Sequence, residues 1–119
     1  MAVLAAGDIV IVDWRDALPK EPNKLRPAIV VDGDELFGPA YPSVILVPLS
    51  QDVSLAIPDL SLVIDPTPEN GCTKRCYALS HCLAATSKSR VSATEARVTR
   101  QQLDDIRCQI AMAVGFSEI

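Results

Sequence analysis

The chain has 119 residues, of which 49% are hydrophobic, and a formal net charge of −4 at pH 7. That length fits one domain with a real core, and no apolar run approaches the ~20 residues that a membrane-spanning helix needs. The apolar segment Met1–Ala6 is too short for a signal peptide and has no basic residue, so we expect a cytoplasmic protein.

The negative net charge argues mildly against a nucleic-acid partner. Most of the Lys and Arg residues lie in the second half, however, so a local basic face is compatible with the total charge.

Two apolar segments rich in β-branched residues come first. Ile9–Trp14 and Ala28–Val31 have the composition of buried strands, and the first is predicted to be covered on both faces. Pro27 cannot donate a ladder hydrogen bond, so we expect it to begin its strand, with Arg26 held at the rim. Arg15–Lys24, between the strands, is predicted to be a loop of about ten residues, longer than the roughly 2–5 of most hairpins. A rigidly supported cation suits phosphate binding, although an ordinary surface arginine fits the same pattern.

Three more strands are predicted in the middle of the chain, at Ser43–Leu49, Ile57–Asp65 and Cys76–Leu83. Turns at Asp32–Glu35 and Gly38–Pro42 separate the second strand from the third. The nine prolines and the few aromatic residues favour short strands over long helices. Ser50 ends a core strand, where it either starts a turn or presents its hydroxyl to a site.

One helix is predicted near the C-terminal end. Thr99 and Gln102 have the spacing of a capping box, and Gly115 is a natural end. Apolar residues lie between them at helical spacing, at Leu103, Ile106, Ile110 and Ala113. Before the helix, Ser87–Arg90 is predicted to be a turn, and Ser92–Glu95 has the spacing of a cap for a further short turn. Residues 1–119 are therefore expected to form one domain, a mostly antiparallel barrel or curled sheet with a helix packed against it.

The four cysteines and the single histidine offer one candidate metal site. Cys72, Cys76, His81 and Cys82 have the residue types of a zinc site. If the segment forms the predicted strand, however, Cys76 and Cys82 lie roughly 20 Å apart at ~3.3 Å per residue, which is too far for one ion. We therefore expect no metal and four reduced thiols, including Cys108.

Several segments, in order, carry a family resemblance. They are Gly7–Asp13, Glu21–Val31 with its acid five residues before Arg26, Val47–Ser50 and the Lys88–Arg90 turn. With the C-terminal helix, they make the whole chain resemble the MazF/PemK (Kid) toxin family. The resemblance implies a mainly β fold, an SH3-like antiparallel barrel with a C-terminal α-helix (CcdB/MazF-like), and a homodimer. It also implies a type II toxin–antitoxin endoribonuclease that cuts single-stranded RNA, often mRNA, at short motifs without a metal and is neutralised by a cognate antitoxin.

The resemblance also implies catalytic residues. The family's catalytic arginine falls on Arg26, its threonine or serine on Ser50, and its loop glutamate on Glu21. RNA can be cleaved by its own 2′-hydroxyl if a base accepts that proton and a cation stabilises the charge on the phosphate. The planar fork of Arg26 suits the phosphate, and Ser50 can donate a hydrogen bond to it. Glu21 is a candidate base, but it could equally position Arg26 or be a solvated loop acid.

The chain departs from the family's pattern at several positions. Where the PemK branch has an arginine and an acid used in catalysis, this chain has Leu79 and His81, and His81 is either a replacement base or a structural histidine. Ala84 replaces a basic residue, and Pro22–Lys24 replaces a loop segment that usually has glycines and a glutamine. Basic residues that remain as candidates for RNA binding are Lys20, Lys24, Lys74, Arg75 and Lys88.

Two other functions stay open at this point. A CcdB-like toxin of the same fold would dock on DNA gyrase through apolar and aromatic residues at its C-terminus, a mode that Gly115–Ile119 does not strongly suggest. A module of the same fold that has lost its activity is the other alternative. The presence of Glu21, Arg26 and Ser50 favours the nuclease.

Overall fold

The computed structural model describes residues 4–14, 25–32 and 34–116. Within these ranges the strands are β1 (Asp8–Asp13), β2 (Leu25–Val30), β3 (Ser43–Ser50), β4 (Ser61–Ile64), β5 (Cys76–Leu79), β6 (Ala84–Ser87) and β7 (Val91–Arg97). The α-helices are α1 (Asp34–Phe37) and α2 (Arg100–Ala113). α1 lies in a region predicted as turns, and β4 covers only the second half of the predicted Ile57–Asp65 strand. No helix in the described ranges is long and apolar enough to cross a membrane.

The strands form one antiparallel sheet in the order β4–β5–β3–β2–β1–β7, with β6 beside the first half of β3. The predicted antiparallel sheet with a C-terminal helix is therefore confirmed. The sheet is not closed into a barrel, because β4 and β7 do not pair within the described residues. A loop contact spans the two edges instead, since the Arg97 amide donates to the Glu69 carbonyl at 2.9 Å.

The three central strands are buried on both faces. In β1, Ile9 belongs to the core cluster that includes Ile106 of α2, whereas Val10 belongs to a second cluster. Ile29 and Val30 in β2 divide between the two clusters in the same way. Successive side chains of a strand point to opposite faces, so a strand with two buried faces has an unbroken apolar sequence.

β2 begins at Leu25, so the prediction that Pro27 is the first residue of this strand is wrong. Pro27 lies opposite Ile11 of β1, but the pairing with β3 begins only at Ala28. A proline is tolerated at this position because no pairing with β3 requires its missing N–H. Arg26 is consequently a strand residue, supported by β1.

Two predictions from local spacing are also wrong. Only the first half of Cys76–Leu83 is extended, and Ser80–Cys82 forms a 3₁₀ turn. This turn packs against α2, where the buried Ser80 hydroxyl donates to Gln109 Oε1 at 2.7 Å. Ser92–Glu95 lies in β7 and pairs with β1, so it does not cap a turn. In both cases a tertiary contact outweighs the local pattern.

The capping box predicted for the C-terminal helix is confirmed. Thr99 Oγ1 accepts from the Gln102 amide at 3.0 Å, and Gln102 Oε1 accepts from the Thr99 amide at 2.9 Å. Gly115 follows the helix with φ of 78°, a conformation that favours glycine. Arg107 Nη2 donates to the Val31 carbonyl at 2.8 Å and ties the helix to the chain just after β2.

Candidate active site

β2 and β3 separate at one end of the sheet. At Arg26, β2 is still paired with β1, and at Ser50, β3 is still paired with β5. The pairing between β2 and β3 themselves ends at Ala28 and Pro48. Extending that alignment by two residues places Arg26 opposite Ser50. The two residues therefore stand on facing edges of a split between the strands.

A cavity of about 570 Å³ lies at this split, and both Arg26 and Ser50 line it. Its size is within the range of small-molecule sites. Apolar parts of the cavity wall are formed by Trp14, Leu55 and Leu79. The structure thus brings to one cavity the arginine and the serine that the sequence places 24 residues apart.

The Ser50 oxygen is held by the turn that follows β3. Ser50 Oγ accepts from the Asp52 amide at 3.1 Å. The Asp52 carboxylate accepts from the Ser54 amide at 3.0 Å and from its hydroxyl at 2.7 Å, and these bonds lower the pKa of Asp52. Within the described residues no acceptor engages the Ser50 hydroxyl proton, so that proton can be donated to a ligand. Arg26 is half-buried, and its Nη1 donates to the Leu25 carbonyl at 3.3 Å.

The structure does not bring His81 to this cavity. His81 lies in the 3₁₀ turn, with Nδ1 3.3 Å from the Leu60 carbonyl oxygen. Leu79 and Ala84, two of the positions that depart from the family's pattern, do line the cavity. The catalytic role of His81 stays a prediction, without support from proximity to Ser50.

The described basic candidates also lie away from the cavity walls. Arg75 is exposed, and its Nε is 2.7 Å from Asp65 Oδ1, a hydrogen bond that raises the pKa of Arg75. Lys74 is exposed in the same loop. Lys88 follows β6 beside the first residue of β3, a strand about 23 Å long, at the far end from Ser50. The remaining predicted site residues fall outside the described ranges, and they are Lys20, Glu21 and Lys24.

Cys72 and Cys76 line a second cavity of about 350 Å³, and Cys76 lines the first cavity as well. Burial, together with the nearby Cys72, raises the pKa of Cys76 to about 11. Cys82 lies in the 3₁₀ turn, not in an extended strand. The estimate of roughly 20 Å between Cys76 and Cys82 assumed a strand, so it no longer argues against zinc. Even so, no three His, Cys, Asp or Glu side chains of the described residues are placed to hold a metal ion.

Alkylation rates can test the raised pKa of Cys76. At pH 8.5 we expect iodoacetamide to modify Cys76 at least about tenfold more slowly than the exposed Cys108, because the thiolate is the nucleophile and Cys76 remains protonated. The rate at Cys76 should keep rising up to about pH 11. Trypsin cleaves after Arg75 and Arg107 and so separates Cys76 from Cys108. Fragment spectra distinguish Cys76 from Cys82, which lies in the same peptide. Equal rates at pH 8.5 would contradict the assigned environment.

The cavity is chemically suited to a phosphodiester. A guanidinium can bind two phosphate oxygens, and a hydroxyl from the facing strand can donate to the same group. The apolar walls reduce solvent screening and strengthen both interactions. The sequence reasoning missed Trp14 and Gln51 as residues of this cavity, although each directly follows a strand, β1 and β3 respectively.

Solved toxin structures share this fold. MazF from Deinococcus radiodurans is 17% identical, with a TM-score of 0.76 and coverage of 97% of this chain and 99% of that chain. Mycobacterium tuberculosis toxin MazF-mt6 is 14% identical, with a TM-score of 0.74 and coverage of 93% and 99%. An endoribonuclease in complex with its cognate antitoxin, from a mycobacterial species, is 16% identical, with a TM-score of 0.73 and coverage of 97% and 98%. These likenesses establish the fold, and no curated protein matches the sequence.

A family model extends the comparison from fold to sequence. The model describes a PemK-like, MazF-like toxin of a type II toxin–antitoxin system and matches residues 5–114. The matched segment runs from before β1 to beyond α2 and contains both Arg26 and Ser50. The chain therefore belongs to the PemK-like, MazF-like toxins of type II toxin–antitoxin systems.

Proposed function

We propose that this toxin is an endoribonuclease that cleaves single-stranded RNA, including mRNA, at short sequence motifs without a metal ion. The observation that carries the proposal is the position of Arg26 and Ser50 on one cavity between two separating strands. Membership in the toxin family supports the same class of activity, as does the shared fold with structures named as endoribonucleases.

In the proposed reaction the RNA supplies its own nucleophile. The 2′-oxygen gives up its proton to a base and forms a bond to the adjacent phosphorus. The bond from phosphorus to the 5′-oxygen breaks, and that oxygen takes up a proton from solvent water, so the products are a 2′,3′-cyclic phosphate and a 5′-hydroxyl. Arg26 stabilises the charge on the non-bridging oxygens, and Ser50 orients one of them through a hydrogen bond. No step requires a metal or a cofactor.

The group that accepts the 2′-proton is the remaining part of the proposal. Glu21 precedes Arg26 by five residues and is proposed as the base or as the residue that positions Arg26. His81 is the second candidate from the sequence, but its hydrogen-bond distance to the Leu60 carbonyl and its position outside the cavity favour Glu21. Lys20 and Lys24, in the same loop as Glu21, are proposed to bind the RNA backbone.

A cognate antitoxin and a second copy of the chain are proposed as protein partners. One similar structure is an endoribonuclease with its cognate antitoxin, and another is a complex of MazE and MazF from Deinococcus radiodurans. We also propose that the chain acts in the cytoplasm, where an mRNA substrate would be. The CcdB-like alternative has no support in the family match or in these structures.

Cleavage in the presence of EDTA tests the proposal directly. Purified protein should cut a long single-stranded RNA in EDTA, and Ser50→Ala should reduce the initial rate about 10- to 100-fold, because one phosphate hydrogen bond is lost. Ser92→Ala, which removes an exposed hydroxyl of β7 outside the cavity lining, is the matched control and should cut at nearly the wild-type rate. Loss of cutting in EDTA would indicate a metal-dependent reaction. No cutting under any condition would leave the inactive module as the better description.

A further inference from the structure

The second cavity adjoins the first along a shared wall. Pro27, Leu49, Gln51 and Cys76 line both cavities. The lining of the second cavity includes the apolar residues Ile9 and Ile11 and several polar residues. A phosphate held between Arg26 and Ser50 would therefore have room beside it for the base of a neighbouring nucleotide.

Thr73 lines only the second of the two cavities. Two other polar side chains in its lining are already engaged in hydrogen bonds. Asn70 Oδ1 accepts from the Thr67 and Cys72 amides, and its Nδ2 donates to the Asp65 carbonyl at 2.9 Å. The Thr94 hydroxyl donates to the Ile9 carbonyl and accepts from the Ala96 amide. Neither side chain has hydrogen-bonding capacity left that could easily read a base.

Gln51 differs from these residues. Its side chain is exposed, lines both cavities and makes no hydrogen bond among the described residues. Its backbone is nonetheless fixed, because it stands between Ser50 and Asp52, which are joined by the 3.1 Å bond from the Asp52 amide to Ser50 Oγ. The result is an unused amide on a rigid turn, next to the residue proposed to hold the scissile phosphate.

We propose that Gln51 is a specificity-determining residue that reads the base next to the scissile phosphate and selects adenine. This inference rests on the proposed nuclease function. A carboxamide presents an NH2 donor beside a carbonyl acceptor, and it binds adenine through N6 and N7. Adenine also presents a donor beside an acceptor on its other open edge, which single-stranded RNA leaves free. On that edge, however, every base places a donor beside an acceptor, so it does not discriminate. The N6/N7 edge does, because guanine offers two acceptors there and the pyrimidines have no N7, so the proposed contact is with N6 and N7 of adenine.

Mapping of cut sites tests this role. A long transcript would be digested in EDTA by wild-type protein, by Gln51→Met and by Gln51→Ala, and the cut ends would be sequenced. We expect wild-type cut sites to show adenine at one position beside the cut, and both variants to lower that preference about tenfold, the value of one bidentate base contact. Preferences at the other positions should persist. Gln101→Met is the matched control, because Gln101 is exposed on α2 and bonded to Asp105 at 2.9 Å.

The outcomes separate the two proposals. Cutting by all proteins with the same base preference would overturn the role of Gln51 and leave the nuclease intact. A wild-type map without adenine beside the cut would overturn the choice of adenine. No cutting by the wild-type protein would overturn the proposed function, and the role of Gln51 with it. Melting curves of both Gln51 variants identify any change that comes from folding alone.

Discussion

Replacing Arg26 by alanine is expected to lower the rate of RNA cleavage about 1,000-fold, the largest effect on activity of any single change. The reason is electrostatic: the phosphorane gains charge in the transition state, and Arg26 is the only cation among the described residues that line the cavity. Ser50→Ala removes a neutral donor from the same phosphate and should cost less. The rate would be measured on a fluorescent RNA in EDTA under single-turnover conditions.

Two further variants make the Arg26 result interpretable. Arg26→Lys keeps the charge but loses the fork that binds two oxygens, so its rate should fall between those of the wild type and Arg26→Ala. Arg100→Ala is the matched control, because Arg100 is an exposed arginine of α2 paired with Asp104. Equal losses for Arg26→Ala and Ser50→Ala would show that charge stabilisation is not the dominant role of this cavity.

The parts of the fold that could be predicted from the sequence are the elements that are determined by residues within or next to them in the chain. The β-branched run after Gly7 and the capping box at Thr99 give β1 and α2 bounds within about three residues of those in the structure. β6 and β7 have no such signal, because their strands are defined by pairing with β3 and β1. Ser92–Glu95 shows how far a local pattern can mislead. The spacing predicts a helix cap, but the segment lies within a paired strand.

The candidate site also has parts that the sequence predicts and parts that it does not. Arg26 and Ser50 could be identified as candidates because each adjoins an apolar run, and the family resemblance gave them roles. The sequence alone could not show that the two residues line the same cavity. Their proximity depends on the alignment of β2 with β3 and on the point at which that pairing ends. His81 is a candidate because the resemblance places it where the PemK branch has a catalytic acid, but it lies in the 3₁₀ turn Ser80–Cys82 and not among the residues that line the cavity.

The 3₁₀ turn also explains why the helix matters to a site that it does not line. α2 packs against this turn and against β4, while Leu79, just before the turn, and Cys82, its last residue, line the cavity. β5 in turn pairs with Ser50. The helix therefore supports the wall that faces Arg26, and its attachment to the sheet determines how rigidly that wall is held.

Ile106→Ala is expected to lower the free energy of unfolding by about 3–4 kcal/mol, the largest effect on stability among the predictions. Ile106 is fully buried in α2, in the same core cluster as Ile29 and Ile64 of the sheet. The truncation loses apolar contacts and leaves a cavity between layers that cannot close without moving the helix. Urea denaturation followed by circular dichroism would measure the change.

Two variants serve as controls for this result. Ile106→Val, which removes one methylene, should lower the free energy of unfolding by about 1 kcal/mol. The exposed Gln101→Ala should be close to neutral. A loss below about 1 kcal/mol for Ile106→Ala would mean that α2 contributes little to the core and does not hold the wall of the cavity.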